Sequence, residues 1–200
     1  MDCTYKTNKY KLPLFHTVGV TPWNTTFTSS YCFIAHEKTE DYIWALRAMN
    51  EAIQIETKPQ VIVTDNEDGL TKAIASVFPD TKHQLCLWHI EKKVLEKISK
   101  KLGRNEGTES DKVKEFLTKW TTMVNHSTVS EFEDSWAKLQ EKWNETASGR
   151  DVIEYPTNEY MHKKEKFVRA YTNHNLHLSN IASSWVEGAR CAEEMPWRKY

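Results

Sequence analysis

Three acidic side chains are the first candidates for chemistry in this sequence. Asp2 begins a strand-like segment, and Asp65 directly follows the apolar run 61–63. Open α/β sheets bind ligands at the edge where their strands end, which is where Asp65 falls. Glu187 lies near the start of a helical pattern late in the chain. Carboxylates are preferred ligands of Mg²⁺, and two such ions promote phosphodiester cleavage, so three converging acids would make a two-metal site.

Each acid also has an ordinary structural explanation. Asp65 or Asn66 would make a good N-cap for the helix that follows, since both side chains accept hydrogen bonds from first-turn amides. Asp2 fits a solvated carboxylate, because acids are mostly exposed. Ser184 and Glu187 have the spacing of a capping box, in which the glutamate reaches back to the N-cap amide. Spacing alone leaves these alternatives open.

Cysteine and histidine residues form a second candidate site. Cys86 and His89 make a C-x-x-H pair, and His174 and His177 make an H-x-x-H pair. Four such side chains are the ligand types of a zinc site. However, the spacing is loose, and eight histidines produce such pairs by chance. A packed thiol beside a histidine at a helix start is favoured, and zinc is not expected. The four scattered cysteines include no C-x-x-C, which favours free thiols over disulfides.

A basic helix face is the third candidate. The helix predicted from Trp88 to Leu102 turns apolar residues inward and five lysines outward, namely Lys92, Lys93, Lys97, Lys100 and Lys101. A solvated surface explains this pattern, but so does contact with nucleic-acid phosphates, which requires only positive charge on one face. The whole chain has a formal charge of −1, so contact with DNA must come from such a local patch.

Length and composition restrict the class of protein. The 200 residues suffice for one domain that carries an insertion, and 39% hydrophobic with 28% charged residues is ordinary globular usage. The sequence has no apolar run of about 18 residues, so no membrane span is expected. The first residues have no apolar segment of the kind found in signal peptides. We therefore expect an intracellular globular protein.

Hydrophobic periodicity predicts the elements that position these candidates. Period-two patterns predict an antiparallel meander of three strands, at 2–5, 12–20 and 25–35. Short strands and helices then alternate, which indicates parallel strand pairing. The strands are predicted at 61–63 and 83–87, and the helices at 40–53, 70–77 and 88–102. On the first of these helices, Ile43, Leu46, Met49 and Ile53 are expected to face the core.

The second half of the chain is predicted to be helical. A polar linker at 103–110 precedes two helices, at 113–124 and 129–143. Thr128 and Glu131 form a capping box at the start of the second helix, and Ser148-Gly149 is expected to end it. Residues 155–170 are predicted to be helical and residues 171–182 irregular, and a final helix is predicted to begin near Ser184.

Several of these segments occur together, in the same order, in one known family. The segment 2–10 (DCTYKTNKY), followed by Leu12-Pro13-Leu14, resembles the opening of the catalytic domain of Mutator-like element (MULE) transposases. Four later segments also resemble that domain: VTDNE at 63–67, VFPD at 77–80, CLWHI at 86–90 and SSWVEG at 183–188. The resemblance extends through about residue 189. The ordered series is far more specific than any single motif.

The resemblance implies an α/β fold, an RNase H-like mixed sheet with a helical insertion before the last catalytic helix. Residues 1–102 would form the core, 103–180 the helical insertion, and 181–200 the final catalytic helix with a divergent tail. Because Asp2 follows Met1 directly, the first strand is expected to be truncated.

The resemblance also implies a reaction. Asp2, Asp65 and Glu187 match the catalytic triad of a DDE-type transposase that binds two Mg²⁺ or Mn²⁺ ions and then nicks and joins DNA. The implied partners are DNA, at the transposon ends and the target, and a second copy of the chain in a homo-oligomer, with the nucleus as the site of action. We expect a catalytic-core fragment of such an enzyme. The alternatives are a domesticated, inactive remnant acting in DNA association or regulation, and a zinc-stabilised interaction module.

Overall fold

The computed structural model describes residues 1–5, 8–21, 23, 25–53, 58–102 and 111–175 of the chain. These residues form a mixed α/β structure. In chain order, its elements are β1 (Asp2–Thr4), β2 (Leu14–Val20), β3 (Thr26–Phe33), α1 (Thr39–Ile53), β4 (Val61–Thr64), α2 (Asp68–Val77), β5 (Lys82–Leu85), α3 (Leu87–Leu102), α4 (Asp111–Val124), α5 (Val129–Asn144), α6 (Ala147–Glu159), a 3₁₀ helix (Met161–Lys166) and α7 (Arg169–Thr172). Among the described helices, none combines the length and apolar character that a membrane crossing requires.

The described chain divides into two compact units. The first unit contains Met1–Cys86, with all five strands, α1 and α2, whereas the second contains Leu87–His174 and the remaining helices. Helix α3, which directly follows β5, therefore groups with the later helices. Each unit has its own buried core.

Two sheets form the framework of the first unit. Strands β1, β2 and β3 pair antiparallel in that order, which confirms the predicted meander. Strands β4 and β5 pair parallel, as the alternation of strands and helices predicted. The β1–β2 register sets Asp2 opposite His16. The N-terminal ammonium group of Met1 donates a hydrogen bond of 3.0 Å to the carbonyl oxygen of Val63, which links the two sheets.

The hairpin of β2 and β3 contains a close contact between a ring and the backbone. Gly19 is paired with Phe27, and a Cβ atom on Gly19 would lie 2.3 Å from Cζ of the Phe27 ring. The ring of Phe27 thus lies over the bare backbone of β2, and a side chain at position 19 would have to displace this 53% exposed ring. A bulge between Thr17 and Val18 shifts the register just before this pair, which increases the local twist of the hairpin.

One face of the sheets is covered by α1 and α2. Helix α1 buries Tyr42, Ala45, Leu46 and Met49, and α2 buries Leu70, Ala73 and Ile74, against Phe15 and Ile62 of the strands. The expectation that Ile53 belongs to this core is wrong, because its side chain is 40% exposed. Ile53 is the last residue of α1, beyond the turns that supply the buried residues.

Aromatic residues dominate the core of the second unit. Phe116, Trp120, Trp136, Trp143 and Phe167 are all buried. The rings of Phe116 and Trp143 meet edge to face at 5.4 Å between centroids, as do those of Trp120 and Trp136 at 6.4 Å. Such pairs add to the stabilisation from burial, so α4 and α5 form the centre of this unit.

Several predicted element boundaries differ from the structure. Helix α5 ends at Asn144, and Gly149 lies inside α6, so Ser148-Gly149 does not end α5. The predicted 155–170 helix is interrupted at Tyr160, where α6 ends and a 3₁₀ helix follows. The strand predicted at 83–87 is Lys82–Leu85, and α3 already begins at Leu87.

The cap at Thr128 is confirmed, because its hydroxyl accepts from the Glu131 amide at 3.3 Å. The 103–110 linker and the helix predicted near Ser184 lie outside the described residues.

Candidate functional site

Two of the three candidate acids lie on neighbouring chain segments of the first unit. Asp2 is on β1 and only 8% exposed, and Asp65 directly follows β4 and is half-buried. In a pair of parallel strands, the N–H group of a residue donates to the carbonyl oxygen of the residue that precedes its partner on the other strand. The bond from Met1 to Val63 has the form of such a contact, although β1 and β4 belong to separate sheets, and it brings the start of β1, with Asp2, next to the end of β4, which Asp65 follows.

The end of β4 is held in place by Thr64, whose side chain is fully buried. Its hydroxyl donates to the Asp65 carbonyl oxygen at 2.7 Å and lies 2.8 Å from Nε2 of His83 on β5. The Cys86 amide donates to the Thr64 carbonyl oxygen at 2.6 Å, which continues the parallel ladder. The backbone that carries Asp65 is thus fixed by contacts from two directions.

Helix α2 is capped by Glu67, so the N-cap explanation of Asp65 and Asn66 is wrong. The Glu67 backbone is extended, and its carboxylate accepts hydrogen bonds from the amides of Gly69, at 3.0 Å, and Leu70. Sequence reasoning missed this cap because Asp and Asn are the common N-cap residues and both precede Glu67. Asp65 lies two residues before the cap, so helix capping does not account for it.

A hydrogen-bond network that the sequence analysis did not anticipate lies next to β1. Glu37 accepts hydrogen bonds from the hydroxyls of Tyr5 and Tyr42, the latter at 3.4 Å, and Cys3 Sγ lies 3.5 Å from the Tyr42 hydroxyl. Burial raises the pKa of Cys3 and of Tyr42. The hydrogen bond to Glu37 raises the pKa of Tyr5, and the negative charge of Asp65 adds to that shift. No sequence pattern points to this network, because Tyr5 and its partner Glu37 are 32 residues apart.

The third acid, Glu187, lies outside the described residues, as does its alternative role in a capping box with Ser184. Within the described ranges, no three His, Cys, Asp or Glu side chains are arranged to hold a metal ion. Metal binding by Asp2, Asp65 and Glu187 therefore stays a prediction.

The C-x-x-H pair is divided between the units. Cys86 is fully buried at the end of the first unit. His89 lies in the first turn of α3 in the second unit, where its ring packs edge to face against Trp88 at 4.8 Å. His174 is exposed, and His177 lies outside the described residues. The predicted packed thiol is present, and the four-ligand arrangement stays untested.

The five lysines of α3 are all exposed, as predicted: Lys92, Lys93, Lys97, Lys100 and Lys101. The ammonium groups of Lys92 and Lys97 lie over the rings of Trp88, at 4.8 Å, and Tyr155, at 5.5 Å. Lys101 donates to the Asp151 carbonyl oxygen at 2.8 Å. Cation–π contacts at exposed sites of this kind stabilise by only about 0.5–1 kcal/mol.

A second basic segment, which the sequence analysis did not single out, is the 3₁₀ helix with Lys163, Lys164 and Lys166. Lys164 is paired with Glu133. Burial, together with the neighbouring charge of Lys163, lowers the pKa of Lys166. The basic character of the second unit is therefore not confined to α3.

Comparison with known proteins gives two family matches. The family described as MULE transposase domain matches residues 1–93, and the family described as Transposase, Mutator family matches residues 55–174. Together these matches extend across both units and include Asp2, Asp65 and the α3 lysines.

Similar curated proteins come from Arabidopsis thaliana. Protein FAR1-RELATED SEQUENCE 5 is 32% identical over 142 residues, which covers 71% of this chain and 17% of the relative. Protein FAR-RED IMPAIRED RESPONSE 1 is 30% identical, and the match covers 69% of this chain and 16% of the relative. Protein FAR1-RELATED SEQUENCE 6 is 33% identical, and the match covers 69% of this chain and 20% of the relative. The chain thus spans a fifth or less of the length of these relatives.

Proposed function

Since the chain belongs to the Mutator family of transposases, we propose that it forms part of a DDE-type catalytic core that cleaves and joins DNA strands. The observation that carries the proposal is the 3.0 Å bond from Met1 to Val63, which brings the segment with Asp2 next to the end of β4, where Asp65 follows. The proposed place of action is the nucleus, where such a substrate is found.

The finer fold that we propose is RNase H-like. The bond from Met1 to Val63 supports joining the two sheets into one mixed sheet in which β1 is central. In such a sheet β2 is antiparallel to its neighbours, whereas β1, β4 and β5 run parallel. The ends of the parallel strands then share one edge, which is the edge at which α/β sheets bind ligands.

Asp2 and Asp65 fit a hard divalent cation, because both are carboxylates and Mg²⁺ or Mn²⁺ prefers oxygen ligands. The family resemblance supplies Glu187 as the third ligand. Bound ions would provide Lewis-acid activation of the attacking oxygen and of the scissile phosphate. The contacts of Thr64 with His83 and Cys86 hold the Asp65 backbone, so this residue needs little rearrangement to bind the ions.

The lysines of α3 supply the proposed DNA contact. Their charge is on one helix face, and Lys93 and Lys100 are exposed. Positive side chains on one face release counterions from the phosphate backbone, which gives affinity without sequence preference. We therefore assign DNA positioning to the second unit and strand cleavage to the acids of the first.

The test is divalent-metal-dependent nicking of supercoiled plasmid DNA by the whole chain. We expect nicking with Mn²⁺ and a loss of at least about 100-fold in Asp65→Asn, because the neutral amide is a poor ligand of hard cations. The matched control is Asp68→Asn, the same chemical change at an exposed position three residues away, which should keep the wild-type rate. Wild-type activity in Asp65→Asn, or absence of nicking by folded protein, contradicts the proposal.

A second candidate is DNA association without catalysis. The observation that favours it is the similarity to relatives whose names refer to a far-red response rather than to transposition. In that case wild type and Asp65→Asn would bind DNA equally and neither would nick it. Lys93→Ala with Lys100→Ala should then weaken binding at low salt and reduce the slope of log affinity against log salt by about 0.9 for each lost phosphate contact.

A further inference from the structure

An exposed tyrosine ring at the edge of the candidate site has no role in the reaction proposed above. Tyr5 directly follows β1, three residues after Asp2, the candidate acid at the start of that strand. The side chain of Tyr5 is 58% exposed, whereas that of Asp2, at the start of β1, is buried. The hydrogen bond to Glu37, burial and the charges of nearby groups, including Asp65, raise the pKa of the Tyr5 hydroxyl.

The orientation of this ring is fixed from behind. The Tyr5 hydroxyl donates a hydrogen bond to one carboxylate oxygen of Glu37, and the other oxygen accepts from Tyr42 at 3.4 Å. Tyr42 is itself only 1% exposed, so the tether ends in the core. A ring that is already held loses little conformational freedom when a ligand packs on it, which makes it a preorganised contact surface.

The charge around the ring selects the part of a nucleic acid that it can contact. Glu37 holds the hydroxyl, and Asp65 acts on it electrostatically. The Glu37 carboxylate, which contacts the ring's hydroxyl directly, repels a phosphate placed against the ring. An uncharged nucleobase has no such penalty and has the flat surface that an aromatic ring accepts. Base–aromatic stacking tolerates any base, as expected of a site that must act on DNA of different sequences.

We propose that the ring of Tyr5 stacks on an unpaired nucleobase next to the phosphodiester bond held by the acids, with Glu37 as the residue that fixes the ring. This inference rests on the proposed function, because the stacked base belongs to its DNA substrate. It adds an aromatic contact to a site otherwise described only by carboxylates and distant lysines.

The test is the affinity of the whole chain for a duplex with a four-nucleotide single-stranded tail, measured by fluorescence anisotropy in Ca²⁺ so that cleavage does not intervene. Each tail position is replaced in turn by an abasic site. For wild type, we expect one position at which base removal weakens binding roughly tenfold, the size of one base–aromatic stack. Tyr5→Ala should weaken binding to intact DNA by the same factor and show no further loss on the abasic DNA.

Two further variants keep the result interpretable. Tyr5→Trp retains a stacking ring and should keep the base dependence, even if Tyr5→Ala perturbs folding. Tyr10→Ala is the matched control, because its ring is 72% exposed and follows β1 closely in the chain. It should leave the difference between intact and abasic DNA unchanged.

The outcomes separate this inference from the proposed function. If Tyr5→Ala weakens binding to intact and abasic DNA equally, or not at all, the stacking role is overturned while the nicking result is untouched. If the wild-type chain binds none of these DNAs, both proposals are overturned. If Asp65→Asn abolishes nicking but the base dependence persists in that variant, both proposals are supported independently.

Discussion

At the scale of single residues, Tyr42 and Cys3 link the core of the first unit to its strand edge. Tyr42 is 1% exposed and shares a 3.5 Å contact with the Cys3 thiol. Burial raises the pKa of both groups above their ordinary values of 10.0 and 9.0. The folded chain therefore holds these protons at a pH where the unfolded chain has released them.

This difference predicts a loss of stability in alkaline solution. The slope of the unfolding free energy with pH follows the number of protons bound by the unfolded state minus the number bound by the folded state. Above about pH 9 the unfolded chain binds fewer protons than the folded chain, so the free energy of unfolding should decrease as the pH rises. Urea unfolding at pH 7.5 and 10.5 measures the effect. Tyr42→Phe should flatten the decrease, whereas Tyr10→Phe, which removes an exposed hydroxyl, should not. An equal decrease in both variants would contradict this assignment.

At the scale of elements, the junction between α5 and α6 depends on one glycine. Helix α5 ends at Asn144 and α6 begins at Ala147. A Cβ atom on Gly149 would lie 2.0 Å from the carbonyl oxygen of Trp143, and the Gly149 amide donates to Thr146 Oγ1 at 3.1 Å. The close approach of two backbones, rather than a turn conformation, therefore requires the glycine.

Gly149→Ala is accordingly expected to destabilise the second unit. Because the atom in the way belongs to the backbone, the chain must shift to relieve the overlap, at a cost of about 1–3 kcal/mol. Urea unfolding followed by tryptophan fluorescence measures the change. Ser148→Ala alters the exposed neighbouring residue and should change stability by less than about 0.5 kcal/mol. Equal stability of the two variants would show that the junction adjusts freely.

The pattern of elements was predictable from the sequence where local signals decide it. The alternation of apolar and polar residues predicted β2 and β3, and apolar residues at helical spacing predicted α1 to α5. The apolar run before Asp65 predicted β4. What failed depends on contacts between distant residues. Gly149 was taken for a helix end because its partner, Trp143, is defined only after two helices meet. Likewise, the pairing of Tyr5 with Glu37 requires β1 and the segment before α1 to be brought together.

At the scale of the whole molecule, the chain consists of two units, each with a core of its own. Helix α3 buries Leu87, Ile90, Val94 and Ile98 and packs against α4 and α6. It therefore contributes one wall of the second unit, although the polar linker at 103–110 had suggested a boundary after it.

This division predicts that residues 87–174 fold when produced alone. We expect a helical circular dichroism spectrum and a cooperative urea transition, because the aromatic core lies entirely within this segment. The shorter fragment 103–174 lacks α3 and leaves the apolar surfaces of α4 and α6 uncovered, so it should be much less stable. Comparable transitions for both fragments would instead support a boundary at 102.

The ring of Phe27 over Gly19 has a consequence for sequence variation in this hairpin. The two positions form one structural pair, in which the aromatic side chain shields backbone that the glycine leaves bare. A larger residue at 19 would displace the half-exposed ring from this backbone, and a smaller residue at 27 would remove the contact that favours glycine. Natural variants of this hairpin should therefore replace both residues or neither.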